Sequence, residues 1–330
     1  MMKPKTISPR PSGGLRRPLR LGISRCLLGD EVRFDGGHKR EVFLTETLSQ
    51  FVQWVPVCPE VEVGMGVPRE PVHLIGSATS PRLVTVTSGI DHTGAMKRFL
   101  RKRVRELEAL DLSGYVFKKD SPSCGMERVS VFDRHGTPSR QGVGMFARVF
   151  MQHFPLIPVE DEGRLNNPIL RENFIERIFA YGRWQDLMRN RVTRPAIVTF
   201  HTAHKYQLLS HSRLHHQALG RLVAEAHRFT PTDLAGRYGA VFMEGLKVRA
   251  TVHKHVNVLQ HMAGHFTDRL NPAERSELHD VIEDYHGGLT PLILPITLIR
   301  HHANQFGIGY LQDQFYLNPH PQELILRNRT

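Results

Sequence analysis

Cysteine is scarce in this 330-residue sequence: there are three, at Cys26, Cys58 and Cys124, and no two form a C-x-x-C pair. An odd, widely spaced set argues against a disulfide framework and against the four protein ligands of an ordinary structural zinc site. No apolar run approaches the roughly 20 residues needed to span a bilayer, so no membrane partner is expected. There is no G-x-G-x-x-G turn and no G-x-x-x-x-G-K-[ST] loop, so neither a nicotinamide, a flavin nor a P-loop nucleotide is expected. Internal repeats and low-complexity tracts are missing beyond the N-terminus. There, residues 1–20 hold six basic and no acidic residues and lack the apolar stretch of an export signal, and are expected to form a flexible basic arm. Few cysteines and no export segment together suggest a reducing, cytoplasmic setting.

What is present concentrates in loops. The three cysteines read LGISRCLLGD, WVPVCPEVEVGMG and KKDSPSCGME, each at the end of a short apolar run that enters a turn. Free cysteine is commonly a small buried hydrophobe, but a thiol followed by Pro59 and Glu60, or flanked by Pro122 and Gly125, lies in turn chemistry rather than in a core element. Three loop thiolates suit an iron–sulfur cluster that keeps one iron open. A Cys3His zinc site, or a fully ligated structural or oxygen-sensing cluster with His38 as fourth ligand, remains open at this point.

Residues 21–160 alternate strand-like runs (LGIS, WVPV, HLIG, LVTV, GYVF, VSVF, LIPV) with helical stretches near 41–53, 93–109 and 141–153. This pattern predicts an α/β domain, Rossmann-like, with a mostly parallel sheet, whose ligands collect beyond the carboxyl ends of the strands. The expected organisation is an α/β domain over 21–166, a connecting helix and linker over 167–194, and an all-α domain over 195–330. The helical half holds 15 of the 20 histidines, and His261 with His265 has the i, i+4 spacing of one helix face. Interior hydrogen-bonded imidazoles or RNA contacts suit that half better than a metal, which would need a convergent carboxylate or further ligand. A net charge of +12 points to a polyanionic partner. One concentrated run, from Lys97 to Arg105 on an expected helix, reads equally as a solvated face.

Around the cysteines stand groups that a reacting site would use. Glu60 and Ser123 are the candidate catalytic residues, Glu60 as a carboxylate able to activate water and Ser123 as a hydrogen-bond donor. Ser121, Asp35, His38 and Lys118 are candidate substrate contacts. Glu60 paired with Arg69, Arg33 or Arg40, and Asp35 as a turn former before Gly36 and Gly37, are the plainer readings of the same residues.

The segments SRCLLGDEVRFDGGHK, PVCPEVEVGMGVPREP, KKDSPSCG, GVGMF and PLIPVED resemble the thiouracil desulfurase (desulfidase) family over about residues 20–190. The resemblance implies a 4Fe-4S cluster held by Cys26, Cys58 and Cys124, with the remaining iron accepting sulfur from a thiocarbonyl. The stretches HTAHKYQLLSHS, ATVHKHVNVLQHMAGHF, HGGLTPLILPITLIRHH and YLQDQFYLNPHPQELILRN are similar to the YbgA-like helical domain. Such fusions look like enzymes that remove sulfur from 4-thiouridine in tRNA without net redox change, which makes tRNA the implied partner. Desulfuration of free thiouracil or thionucleosides, or a non-catalytic RNA-binding role, are the competing expectations.

Overall fold

A computed structural model describes residue 15, residues 17–189 and residues 191–328. Most of the basic arm expected over 1–20 lies outside the described residues; its last two residues, Leu19 and Arg20, already belong to the first strand. The chain divides into two compact units, Arg17–Gly182 and Arg183–Ile325.

The first unit is built on a four-stranded parallel sheet in the order β2-β1-β5-β8. These strands are β1 (Leu19–Ser24), β2 (Val52–Val57), β5 (Gly114–Phe117) and β8 (Val159–Asp161). β1 and β5 are central and bury nearly every residue, as a parallel strand covered on both faces must. Gly22 is required there, because a Cβ at this position would lie 2.1 Å from the Tyr115 ring on the adjacent strand. Pro56 sits on the edge strand β2, the place where a missing donor is tolerated.

The expected single sheet is in fact two. β3 (Val72–Ser77), β4 (Ser80–Thr85), β6 (Val129–Phe132) and β7 (Pro138–Gly142) form a second, mixed sheet in the order β4-β3-β6-β7. The physical reason is the turn: only Ala78 and Thr79 separate β3 from β4, and so short a connection joins antiparallel neighbours, never parallel ones. β7 escaped the sequence reading because PSRQG is polar and almost wholly exposed.

Three helices belong to this unit before the boundary: α1 (Pro59–Glu62), α2 (Thr93–Glu108) and α3 (Met145–His153). The helix expected near 41–53 is present as a shorter, irregular one: a π-helical stretch at Phe43–Thr47 and a 3-10 turn at Leu48–Gln50, just before β2. Met96, Leu100, Val104 and Leu107 make the buried stripe of α2. Phe146 and Phe150 of α3 pack against Tyr115 and Phe117 of β5, with ring centroids 4.7 to 6.0 Å apart. Fully burying each such ring stabilises the fold by about 1.5–3 kcal/mol.

Helix α4 (Pro168–Met188) carries the chain across the boundary between the units. The second unit is helical: α5 (Arg194–His211), α6 (Arg213–Ala224), α7 (Pro231–Lys247), α8 (Val252–Ala263), α9 (Pro272–His286), α10 (Ile293–Gln305), α11 (Gly309–Gln312) and α12 (Pro321–Asn328). The breaks in its sequence are N-caps. Thr193, Ser212, Thr230, Thr251 and Asn271 each accept a hydrogen bond from the backbone N–H three residues on, and Glu274 completes a capping box with Asn271.

Five histidines of this unit, His201, His204, His211, His255 and His302, are buried as the interior reading expected, while seven others are exposed. His204 bonds the Phe200 carbonyl at 2.8 Å, His211 the Val248 carbonyl at 2.7 Å, His255 the Tyr316 hydroxyl at 2.8 Å and His201 the Tyr238 hydroxyl at 3.2 Å. His261 and His265 do not share a regular helix, because α8 ends at Ala263 and a tight turn follows; His265 instead meets the Tyr206 hydroxyl at 3.0 Å. No helix among the described residues is long and apolar enough to cross a membrane.

Candidate active site in the loops beyond the parallel sheet

The chain leaves β1 toward β2 on one side and later fills β5 and β8 on the other, so the order of the parallel sheet reverses at β1. Such a reversal opens a crevice beyond the carboxyl ends of the strands. The cysteines sit there: Cys26 after β1, Cys58 after β2 and Cys124 in the loop after β5. All three line one cavity of about 310 Å³.

Cys26 rides a tight turn, Arg25–Leu28, which closes on Gly29 at φ 101°, a left-handed conformation that glycine adopts without strain. The Cys26 carbonyl accepts from Lys39 N at 2.9 Å, tying the turn to the far end of its loop. Cys58 precedes α1; its amide donates to Glu62 Oε1 at 2.8 Å and its Sγ lies 3.8 Å from the Val32 carbonyl. Cys124 is held from behind by α3. The first amides of that helix, Met145 and Phe146, donate to the Pro122 and Ser123 carbonyls at 3.0 and 2.9 Å, and Gly144 N donates to Gly125 O at 2.8 Å. Orphan donors of a helix start thus become the anchor of a ligand loop. A Cβ at Gly144 would come within 2.6 Å of the Ser123 backbone, so the two segments meet backbone to backbone.

Glu60 enters the same cavity, but not as a free carboxylate. Its Oε2 accepts from Arg69 Nη2 at 2.5 Å and from Arg69 Nε at 3.1 Å, while Oε1 takes no hydrogen bond. Arg69, only 6% exposed, also donates to the carbonyls of Val32 and Gly66 at 3.0 and 2.9 Å. It therefore clamps the loops of Cys26 and Cys58 together around Glu60.

The other candidates separate. Lys118 and Ser121 line the cavity. The Lys118 ammonium is paired with Glu162, and its amide donates to Ser24 Oγ at 2.9 Å; the Ser121 hydroxyl accepts from the amides of Ser123 and Cys124 at 3.2 and 3.0 Å, shaping the turn. Ser123 is fully buried behind Cys124, outside the cavity lining, with no hydrogen-bond partner for its hydroxyl. Asp35 and His38 are exposed and do not line the cavity. Asp35 bonds Gly37 N at 3.1 Å, His38 accepts from Arg40 N at 3.2 Å, and both shape the first loop. Ser24, Lys39, Arg69 and Lys119 are among the cavity residues that the sequence reading did not single out as site residues.

Electrostatics bear on what the cavity can hold. Burial pushes the Cys26 thiol up to about 11, with the neighbouring Cys58 adding to it; burial likewise raises Cys58, and raises Cys124 well above the usual thiol range. Three thiolates in this space need a cationic group among them. Among the described residues no three Cys, His, Asp or Glu side chains gather round a single ion, and His38 stands outside the cavity lining, so a Cys3His zinc site does not fit. Three thiols on three separate walls suit a group of several metal ions instead. Four cavity cations are answered by carboxylates: Arg25 by Asp30, Arg33 by Asp35, Arg69 by Glu60 and Lys118 by Glu162. Lys39 and Lys119 have no such partner among the described residues, leaving the cavity positive.

Residues 21–162 match the profile of the family described as 2-thiouracil desulfurase, and residues 205–321 match that of a protein of unknown function, DUF1722. The chain belongs to the 2-thiouracil desulfurase and DUF1722 families. It is 30% identical over 153 residues to the uncharacterized protein YbgA of Escherichia coli (strain K12), an alignment covering 46% of this chain and 90% of YbgA. It is 30% identical over 138 residues to the uncharacterized protein YbbK of Bacillus subtilis (strain 168), covering 39% of this chain and 88% of YbbK. Among solved structures it is similar to the [4Fe-4S]-dependent thiouracil desulfidase TudS, with 28% identity, 45% of this chain and 93% of that chain covered, and a TM-score of 0.37. The desulfurase match includes all three cysteine loops and ends at the close of β8.

Proposed function

We propose that the chain is a [4Fe-4S]-dependent desulfidase that hydrolyses the thiocarbonyl of a thiolated nucleobase, with 4-thiouridine in tRNA as its substrate. The observation that carries this reading is the delivery of three cysteines to one cavity by the loops of three adjacent parallel strands, with the Glu60 carboxylate in the wall. Cys26, Cys58 and Cys124 would hold the cluster, whose iron without a protein ligand would supply a Lewis acid for the thiocarbonyl sulfur.

The chain's own residues do the rest. Arg69 fixes one oxygen of Glu60, which leaves Oε1 to take a proton from an attacking water. Lys39 and Lys119 place unanswered positive charge beside the departing hydrosulfide. Water adds oxygen to the carbon, the carbon–sulfur bond breaks, and hydrosulfide and a proton leave; no electrons are exchanged. A base stacked in RNA must be extruded to enter a cavity of this size. The basic surplus of the sequence supports a polyanionic substrate over a free base.

The test is anaerobic purification, assay of iron and acid-labile sulfide, and incubation with 4-thiouridine-containing tRNA while the thiouridine absorbance is followed. About four irons per chain and conversion to uridine are expected, with Glu60→Gln keeping its iron and losing turnover by roughly 10²-fold or more. Turnover of free 4-thiouracil or 4-thiouridine alone would reassign the substrate; a cluster with no turnover on either would point to the non-catalytic role.

A further inference from the structure

Helix α2 packs one face into the core of the α/β unit and presents a second that nothing in the described structure answers. At 3.6 residues per turn, Lys97, Arg98, Arg101, Lys102 and Arg105 fall within an arc of about 140°, opposite Met96, Leu100, Val104 and Leu107. All five cations are exposed. Only Lys102 has a carboxylate within reach, Glu106 at 3.7 Å; among the described residues Lys97, Arg98, Arg101 and Arg105 have none. From Thr93 to Arg105 the helix contains no acidic residue at all.

Some exposed cations elsewhere are compensated, while Arg213 and Arg221 of α6 have no carboxylate within reach among the described residues. Arg228, Arg237 and Lys247 in the helical unit each face a carboxylate three or four residues away, at 3.2, 3.0 and 2.8 Å. Like charges spaced three and four apart repel and weaken a helix, so the α2 face is unfavourable to the isolated fold. It becomes favourable against a polyanion.

We infer that this face of α2 is a binding surface for the phosphate backbone of RNA, set on the desulfurase unit itself. The stripe runs about 12 Å along a convex helix, a row of point charges suited to successive phosphates. Apart from Ala95 it exposes no apolar side chain, so it offers neither the wedge that seats a helix in a lipid surface nor the aromatic anchor of a protein hot spot. On a different face of the same helix Arg103 pairs with Glu62 at 2.8 Å, and Glu62 accepts the Cys58 amide at 2.8 Å, which ties α2 itself to a cysteine loop. This inference rests on the RNA reading of the substrate and adds where the strand is held.

The experiment uses the full chain with Lys97, Arg98, Arg101 and Arg105 all replaced by Gln, beside a control carrying Arg228→Gln, Arg237→Gln and Lys247→Gln. Affinity for an unmodified tRNA transcript is measured from 50 to 300 mM salt. The α2 variant is expected to bind at least tenfold more weakly near 150 mM salt, with the log–log salt slope reduced by about 3, while the control keeps both and the α2 variant melts no lower than the parent. Unchanged affinity and slope in the α2 variant would overturn the inference, as would equal losses in the control. So would α2-dependent binding to phosphatidylglycerol vesicles without α2-dependent RNA binding. A chain that binds the transcript through α2 yet never desulfurates thiolated RNA retires the catalytic reading and keeps the surface; desulfuration of thiolated RNA by a variant with parental affinity retires the surface and keeps the reading.

Discussion

The two units use reactive side chains in opposite ways. In the helical unit five histidines are spent: imidazole nitrogens are tied to the carbonyls of Phe200 and Val248 and to the hydroxyls of Tyr238, Tyr316 and Tyr206. In the α/β unit the groups around the cavity keep spare capacity. Among the described residues three thiols are free, one oxygen of Glu60 is unengaged, and Lys39 and Lys119 face no carboxylate. A high count of metal-binding residue types therefore says less than whether their bonding valences are already used.

The largest test of that contrast is to exchange a thiol for a histidine. Cys58→Ala is expected to reduce iron and sulfide in the anaerobically purified protein to background, and thiocarbonyl turnover with it, whereas His261→Ala leaves metal content unchanged. Iron retained at parental level by Cys26→Ala, Cys58→Ala and Cys124→Ala alike would break the comparison.

A smaller effect is expected from acid. Burial, with His216 and Lys205 adding to it, lowers His201 to about 4, and burial beside the Arg183 guanidinium lowers His204 further. In the unfolded chain these groups bind protons below about pH 6.5, so the unfolded state gains protons that the folded state refuses, and stability falls as pH drops from about 6.5 toward 4. Thermal melting followed by circular dichroism should show this loss, and His201→Phe should flatten it while costing about 1–2 kcal/mol at pH 7 for the orphaned Tyr238 hydroxyl. An unaltered pH slope in that variant would remove His201 from the account.

The smallest effect is expected at the rim of the first cysteine loop. Asp35→Asn and His38→Ala change exposed turn contacts, and each is expected to alter turnover by less than about threefold and stability by less than about 1 kcal/mol. A tenfold loss in kcat with iron content intact would bring either residue back into contact with substrate.

Much of this was readable in the sequence. Short apolar runs ending in Cys-containing turns located the strand ends and the cavity, because that signal is local. Long-range consequences were not readable. The sequence offers Arg69, Arg33 and Arg40 as partners of Glu60, but nothing nearby shows that Arg69 is the one chosen or that it meets Val32 on the way. Nor does SPS reveal that its second serine faces inward while the first shapes the turn, since both fit the same turn chemistry. The split into two sheets was signalled by the GSATS turn, but the apolar runs on either side resemble parallel strands and carried the expectation the other way.

The Cys124 loop is a fixed jaw. Its carbonyls are gripped by the first turn of α3, and that helix is rooted by Phe146 and Phe150 in the aromatic core, so Cys124 moves only if the centre of the unit opens. Cys26 and Cys58 ride short turns with partly buried thiols, and Arg69 pins those two turns to each other. A cofactor held here would then span two separately anchored jaws, one rooted in the aromatic core and the other braced by a single guanidinium.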